Sequence, residues 1–224
     1  EDPFEAQEVI SDSCGDSQFD KIEWGETKAD ISKRILQLLK SFEDVFSENV
    51  SPTACKLEPY RIILKKGVQF PPKAMLQPVR PQSPANEMFL REKLGRWEKL
   101  GVIGKAATRY WSQVHIVHKA NKSPRLCIDW RALNQLVELF QFPIPDIKRT
   151  LPRLRNHLYY GTLDLTDAYT QIMMHRDSIE FTAFRVLDSI YVMYRLGFGH
   201  SGAVAHFQKE MVTKVLVGLI GEVC

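Results

Sequence analysis

Two aspartates three residues apart carry the strongest chemical signal in the sequence. Asp164 and Asp167 lie in Y-G-T-L-D-L-T-D-A-Y-T-Q-I, which occupies residues 160–172. In an extended strand, Leu163 and Leu165 point to one face and Asp164 points to the other. An ionised carboxylate beside apolar residues needs a partner, and a divalent metal ion is one such partner. The alternative is a strand end whose aspartate caps a turn.

This stretch resembles the first carboxylate motif of reverse transcriptases. The resemblance implies that Asp164 is the catalytic, metal-binding aspartate and that Asp167 and Ala168 offer backbone N–H groups to an incoming triphosphate. It also implies that Tyr169 excludes a ribose 2′-OH. The implied cofactor is Mg²⁺, with two further aspartates from a Tyr-x-Asp-Asp hairpin. Because the sequence has no Asp-Asp pair, we expect residues 1–224 to provide one metal ligand of three and to be inactive alone.

Three more stretches extend the resemblance in the same order. R-L-C-I-D-W-R-A-L-N (125–134) looks like the fingers signature of gypsy-type long-terminal-repeat retrotransposon polymerases, and T-A-F-R (182–185) and F-G-x-x-x-A-x-A-x-F-Q (198–208) follow it. Gly199 belongs to the last match and is an implied nucleotide-binding position. The resemblance covers about residues 57–224. It implies an α+β (mixed α/β) fold with the fingers and part of the palm of a right-hand polymerase, without thumb or RNase H domain.

The predicted fingers hairpin carries two candidate phosphate ligands. The family uses a Lys and an Arg here, and this chain reads V-H-K-A-N-K-S-P-R over residues 117–125. Arg125 matches that pattern cleanly, and Lys119 matches it less well. The alternative is that both are solvated basic residues on an exposed hairpin.

The loop around Gly199 departs from the family pattern. Gly197, Gly202 and Val204 stand where Pro, Asn and Pro are usual. Because glycine has more backbone freedom than proline, we expect a loosened loop.

The charge distribution predicts a nucleic-acid surface in the middle of the chain. Residues 1–60 have a balance of −8, residues 61–160 of +13 and residues 161–224 of −2, within a net charge of +3. A strongly basic stretch suits a surface that follows phosphates, and the alternative is a solvated charged face. The candidate nucleic-acid contacts are Arg109, Lys122 and Arg131.

Hydrophobic periodicity and turn residues organise the rest of the chain. We expect an acidic arm or linker at residues 1–26, an amphipathic helix and linker at 27–56 and the polymerase-like unit at 57–224. We expect the apolar face of the helix to dock on the same chain, and the alternative is docking on a partner. Within that unit we expect a strand at 57–64, helices at 83–101, 146–154 and 201–220, and hairpins at 114–119 with 125–130 and at 181–185 with 190–195.

Composition excludes some classes of protein and leaves two functions open. No apolar run reaches the length of a membrane span, and four dispersed cysteines suit an intracellular, reducing compartment. One hypothesis is part of an RNA-directed DNA polymerase that binds an RNA or RNA/DNA template-primer. The other is a domesticated, non-catalytic remnant that serves as a structural or RNA-contacting subunit of a larger assembly, with structural RNA and proteins as partners.

Overall fold

A small antiparallel sheet lies at the centre of the fold. The computed structural model describes residues 19, 22–47, 49–119, 122–144, 146, 148, 152, 155 and 158–219. Strand β1 (Ile103–Lys105) pairs with β5 (Ser189–Met193), which also pairs with β4 (Phe184–Val186). The order is therefore β1-β5-β4. Leu187 has φ +53° in the tight turn between β4 and β5, which confirms the second predicted hairpin.

A second, two-stranded sheet is the predicted fingers hairpin. Strand β2 (Val114–Lys119) runs antiparallel to β3 (Lys122–Ile128), with an irregularity between Val117 and Lys119. Ser112, just before β2, forms a bridge with Phe184 of the central sheet. Its N–H donates to Ala183 O at 2.8 Å, so the hairpin is fixed at its base.

The described part of the chain contains four α-helices: α1 (Ala29–Lys40), α2 (Pro84–Lys99), α3 (Arg131–Asn134) and α4 (Ala203–Glu210). Helix α2 begins as predicted, with the Ser83 side chain accepting from Asn86 N and proline in the first turn. Helix α4 continues into a π-helical turn at Met211–Val215 and ends earlier than predicted. Helix α1 has no buried residue, so the expected docking on the same chain is at most partial.

The hydrophobic core lies between the sheets and helices α2, α3 and α4. Its largest fully buried side chains include Trp130, Phe184, Leu90 and Leu133. Arg195 is only 3% exposed, yet its guanidinium donates to Ser51 O at 2.6 Å, to Leu100 O at 3.0 Å and to Pro52 O. These bonds engage both terminal nitrogens of the buried guanidinium, while the buried Nε has no partner among the described residues. They fasten the chain before residue 60 to the core.

One predicted element differs from the structure, and another lies mostly outside the described residues. The segment 57–64 is not a strand, because it pairs only at isolated bridges of Tyr60 with Met174 and of Leu64 with Val137. Pro59 lacks the N–H that a ladder needs. The short helix expected at 146–154 falls mostly on residues outside the described ones.

Candidate nucleotide and nucleic-acid site

A tight turn presents the second half of the aspartate motif. Asp167 has φ +43°, an uncommon conformation for a residue with a side chain. The Asp167 carbonyl accepts from both the N–H and the hydroxyl of Thr170, each at 2.8 Å, and Gln171 Nε2 donates to Thr166 O at 2.8 Å. Within the described residues, the N–H groups of Asp167 and Ala168 donate to no acceptor. The turn therefore places two N–H groups without a well-formed hydrogen bond on consecutive, half-buried residues.

Asp164 precedes this turn in an extended segment that is not a strand. Residues 160–165 pair with no other strand among the described residues, and Asp164 is exposed. Leu163 and Leu165 are 78% and 46% exposed. The predicted strand is thus wrong for this structure. The alternation of apolar residues predicts which face of a strand each side chain would occupy. A strand also needs a neighbouring strand that supplies hydrogen bonds.

Two side chains of the fingers signature, Trp130 and Asn134, hydrogen-bond the loop that contains Gly199. Trp130 Nε1 donates to Phe198 O at 2.9 Å, and Asn134 Nδ2 donates to Gly199 O at 2.8 Å. The Asn134 side-chain oxygen accepts from Ser201 N at 3.0 Å. Gly199 has φ +91°, and a Cβ there would lie 3.3 Å from Trp130 Cδ1. The backbone conformation therefore favours glycine, and a side chain would also press on the close indole ring.

Tyr169 joins the turn to the loop. Its ring contacts Phe198 edge-on at 5.1 Å between centroids and Phe207 of α4 at 5.6 Å. Edge-to-face pairs at these distances are favourable beyond their buried area. The structure therefore brings together four predicted nucleotide-binding residues: Asp167, Ala168, Tyr169 and Gly199.

The expected loosening of the loop stays a prediction, but two of its glycines are closely packed. A Cβ on Gly202 would lie 2.6 Å from the Tyr60 hydroxyl, and a Cβ on Gly197 would lie 3.2 Å from Met193 Cε. Neighbouring side chains occupy the space that larger residues would fill, so packing opposes the loosening at these two positions.

The stacked pair of Trp130 and His200 is a feature that sequence reasoning missed. The two rings are 4.3 Å apart at an angle of 24°. His200 is buried, and burial lowers its pKa from 6.5 to about 3, so the ring is neutral at pH 7. The i, i+4 spacing of Trp130 and Asn134 within the fingers signature was a usable signal for the clamp, whereas nothing in the sequence pattern identified His200.

The basic candidates lie in different surroundings. Arg125 is exposed and stands opposite Val117 in the hairpin, and the backbones of Lys119 and Lys122 pair at its tip. Arg109 is exposed beside Lys105 in a surface depression of about 580 Å³. The described contacts do not join Arg125 to Asp164 or Tyr169.

Arg131 is engaged within the chain. Its Nε and Nη2 donate to the two carboxylate oxygens of Asp129 at 2.8 and 2.6 Å. Hydrogen bonds from Arg131 lower the pKa of Asp129 to about 2. His115 lies 3.8 Å from the same carboxylate. A phosphate at Arg131 would therefore compete with Asp129 for the guanidinium.

The described residues do not by themselves form a metal-binding cluster. No group of three His, Cys, Asp or Glu side chains suitable for a metal ion occurs among them. Asp164 provides one exposed carboxylate, which fits a single Mg²⁺ ligand but not the full ligand set of a two-metal centre.

Comparisons with known proteins find related retrotransposon polyproteins. The retrovirus-related Pol polyprotein from transposon opus of Drosophila melanogaster is 39% identical over 129 residues, which are 55% of this chain and 13% of the relative. The corresponding polyprotein from transposon gypsy is 32% identical over 142 residues, 61% of this chain and 14% of the relative. The chain thus spans about a seventh of the length of these curated relatives. No protein-family model matches it.

Solved structures establish the fold. The native prototype foamy virus protease-reverse transcriptase superposes with a TM-score of 0.74 at 20% identity, covering 87% of this chain and 26% of that one. The foamy viral enzyme in complex with an RNA/DNA hybrid gives 0.72 at 22% identity, covering 88% and 26%.

The fold is therefore that of a reverse transcriptase. Over part of its length the chain is homologous to the Pol polyproteins of gypsy-type and other long-terminal-repeat retrotransposons, as the sequence motifs predicted. None of the helices in the described part of the chain is long and apolar enough to cross a lipid bilayer.

Proposed function

We propose that this chain is the fingers and part of the palm of an RNA-directed DNA polymerase, and that it binds an RNA or RNA/DNA template-primer. Two foamy virus neighbours were solved in complex with double-stranded DNA and with an RNA/DNA hybrid. The basic balance of residues 61–160 supports a nucleic-acid partner for this chain as well.

The contact of the Asp167 turn with the Gly199 loop is the observation that carries the proposal. Two unused N–H donors at Asp167 and Ala168 lie next to Tyr169, whose ring packs on Phe198 beside Gly199. Adjacent free N–H groups in a left-handed turn are suited to phosphate oxygens. A non-glycine residue held at positive φ is also typical of functional sites.

The remaining site residues take roles that follow from their chemistry. Asp164 serves as a Mg²⁺ ligand, and the ion would neutralise phosphate charge during nucleotide transfer. Arg125 and Lys119 hold the triphosphate from the hairpin. Arg109, Lys122 and Arg131 contact the nucleic-acid backbone, Arg131 by exchanging Asp129 for a phosphate.

The proposal is tested by reversing charge on the basic surface. Substitution of Arg109, Lys119 and Lys122 by Glu should weaken binding of single-stranded RNA and flatten its salt dependence, because fewer counterions are released from the RNA on binding. The measurement is an RNA titration of the full chain at two salt concentrations.

The matched control reverses three exposed cations elsewhere: Lys33, Arg34 and Lys40 of α1. Equal losses in both triple variants would mean that only net charge matters. Unchanged affinity and slope in the first variant would contradict a nucleic-acid role for this surface.

A second candidate function is a non-catalytic, RNA-contacting or structural subunit. The observation that favours it is the filled space beside Gly202, where the Tyr60 hydroxyl excludes the Asn side chain usual in the family. The site has been reshaped from the family pattern at that point. Sequencing of the native transcript separates the candidates, because a reading frame that continues into Tyr-x-Asp-Asp supports the polymerase.

A further inference from the structure

Two basic depressions meet at the turn between β4 and β5. One holds about 580 Å³ and is lined in part by the exposed cations Lys105 and Arg109. The other holds about 210 Å³ and is lined in part by the exposed cations Arg80 and Arg91. The exposed turn residue Asp188 lines both depressions. The fold therefore gathers cations from three parts of the chain around one turn, and we call this surface the basic junction.

Hydrogen bonds hold the wall of the larger depression. The Ala106 N–H donates to Ile190 O at 2.9 Å, so the backbone pairing of β1 with β5 continues past the end of β1. The Thr108 hydroxyl donates to Tyr110 O at 2.5 Å. Arg109 lies between Thr108 and Tyr110 and is therefore carried by a fixed segment of backbone.

An amide and an imidazole position Arg80 in the smaller depression. Its backbone N–H donates to Gln113 Oε1 at 3.2 Å, and its Nη1 lies 2.6 Å from His115 Nε2. Its Nε and Nη2 form no hydrogen bond with the described residues. The Arg80 guanidinium is therefore held in place but retains donors for a further ligand.

The charge of the basic junction is only partly neutralised within the described part of the chain. Lys105, Arg109 and Asp188 make no ion pair there, and Arg91 approaches Glu87 only at 3.9 Å. Four cations face two carboxylates, which leaves a balance of +2. An anion with several charged oxygens is the ligand that suits such a surface.

The basic junction lies apart from the proposed nucleotide site. Strand β5 begins at Ser189, next to the turn, and ends at Met193. A Cβ on Gly197, in the loop that leads to Gly199, would lie 3.2 Å from Met193 Cε. The loop of the nucleotide site and the basic junction are therefore at opposite ends of β5, which is about 14 Å long. A ligand at the junction is additional to a nucleotide beside Tyr169.

We propose that the basic junction binds the phosphate backbone of a single nucleic-acid strand, with neighbouring phosphates in the two depressions. The proposal rests on the nucleic-acid binding proposed above and assigns that strand a position outside the nucleotide site. Arginine and lysine bind phosphate oxygens through charge-assisted hydrogen bonds, and their binding releases counterions from the strand. Asp188 lies between the two depressions and repels both phosphates, so it limits the affinity of the site.

Removal of the cations of either depression should weaken binding. The variants are Lys105→Gln with Arg109→Gln, and Arg80→Gln with Arg91→Gln. Each should lower the affinity of the full chain for a labelled oligouridine about tenfold at low salt. Each should also reduce the slope of log K against log salt by about 1.4, because two phosphate contacts are lost. The measurement is a fluorescence-anisotropy titration at several salt concentrations.

The matched control removes two exposed cations from α1, by Lys33→Gln with Arg34→Gln. It should change the affinity and the slope much less. Equal losses in the control and in both junction variants would overturn the proposal, because only net charge would then matter. A loss confined to one depression would overturn a strand that spans both.

Asp188→Asn gives an independent readout of opposite sign. Loss of a carboxylate between two phosphates should tighten oligouridine binding about threefold at low salt, and the gain should shrink as salt screens the repulsion. Asp44→Asn, which removes an exposed carboxylate elsewhere, should leave binding nearly unchanged. Equal gains in the two variants, or no gain in the first, would overturn the placement of the strand. Absence of RNA binding by the unmodified chain would instead refute the proposed function, which is a different outcome from RNA binding that ignores every junction variant.

Discussion

At the scale of single residues, the candidate site depends on a few side chains that clamp backbone. Asn134 bonds both the Gly199 carbonyl and the Ser201 N–H, and Trp130 bonds the Phe198 carbonyl. Both belong to the signature R-L-C-I-D-W-R-A-L-N. The end of the signature therefore has a structural role, because its last five residues hold the loop that faces Tyr169.

Removal of the Asn134 amide should destabilise the fold and the site together. Asn134→Ala leaves two loop groups without their partner, which costs roughly 1–3 kcal/mol of unfolding free energy. Chemical denaturation measures the loss. The control is Asn86→Ala, which removes only an exposed contact with His118 and should cost much less. Equal costs would mean that the clamp contributes nothing specific.

His200 should make stability depend on pH. Its pKa is about 3 in the folded chain and 6.5 in the unfolded chain, so the unfolded state binds the proton more readily between these values. Stability therefore falls as pH drops below about 6.5, with a slope of up to about 1.4 kcal/mol per pH unit.

Denaturation at several pH values tests this effect. His200→Phe keeps an aromatic ring against Trp130 and should flatten the dependence between pH 3 and pH 6.5. His118→Phe, at an exposed position, should leave it unchanged. An unaltered slope in the His200 variant would show that other groups cause the acid sensitivity.

At the scale of elements, the sequence predicted the hairpins and helix α2 well and two strands badly, those expected at 57–64 and at Asp164. Both hairpins and helix α2 follow from turn residues, from the Ser83 cap and from short-range periodicity. The strand expected at Asp164 fails because strand formation depends on a distant partner, which alternation of Leu163 and Leu165 does not specify.

The candidate site likewise has parts that the sequence predicted and parts that it did not. Asp167, Ala168 and Tyr169 were predicted from motifs and lie in one turn, and Tyr169 packs on Phe198, the neighbour of the predicted Gly199. The contact of Tyr60 with Gly202 was not predictable, because it joins residues more than a hundred positions apart with no pattern that links them.

Substitutions at the contact between the 57–64 segment and the start of α4 should have coupled effects on stability. Gly202→Ala places a methyl group 2.6 Å from the Tyr60 hydroxyl, and since Tyr60 is buried this should cost about 1–3 kcal/mol. Tyr60→Phe removes that oxygen, and the next contacts lie at 3.4 Å. In a double-mutant cycle by denaturation, the double variant should be more stable than the sum of the single losses predicts. Simple additivity would contradict the contact.

At the scale of the whole molecule, the domain combines a well-packed scaffold with an exposed motif. The core surrounds Trp130, Phe184 and Leu196, whereas Leu163 and Asp164 lie on the surface. The fold alone does not define activity, because function depends on the site that a fold carries. Whether this chain catalyses nucleotide transfer therefore depends on how many metal-binding carboxylates it supplies.

We expect purified residues 1–224 not to extend a primer. Two-metal phosphoryl transfer needs several carboxylates, and the sequence contains Asp164 but no Asp-Asp pair. The measurement is template-dependent nucleotide incorporation with Mg²⁺, beside an intact polymerase as positive control. Incorporation that Asp164→Asn abolishes would contradict the prediction and would place the activity at the aspartate motif. Incorporation that survives Asp164→Asn would point to a contaminating enzyme, because no other carboxylate of the chain lies in that motif position.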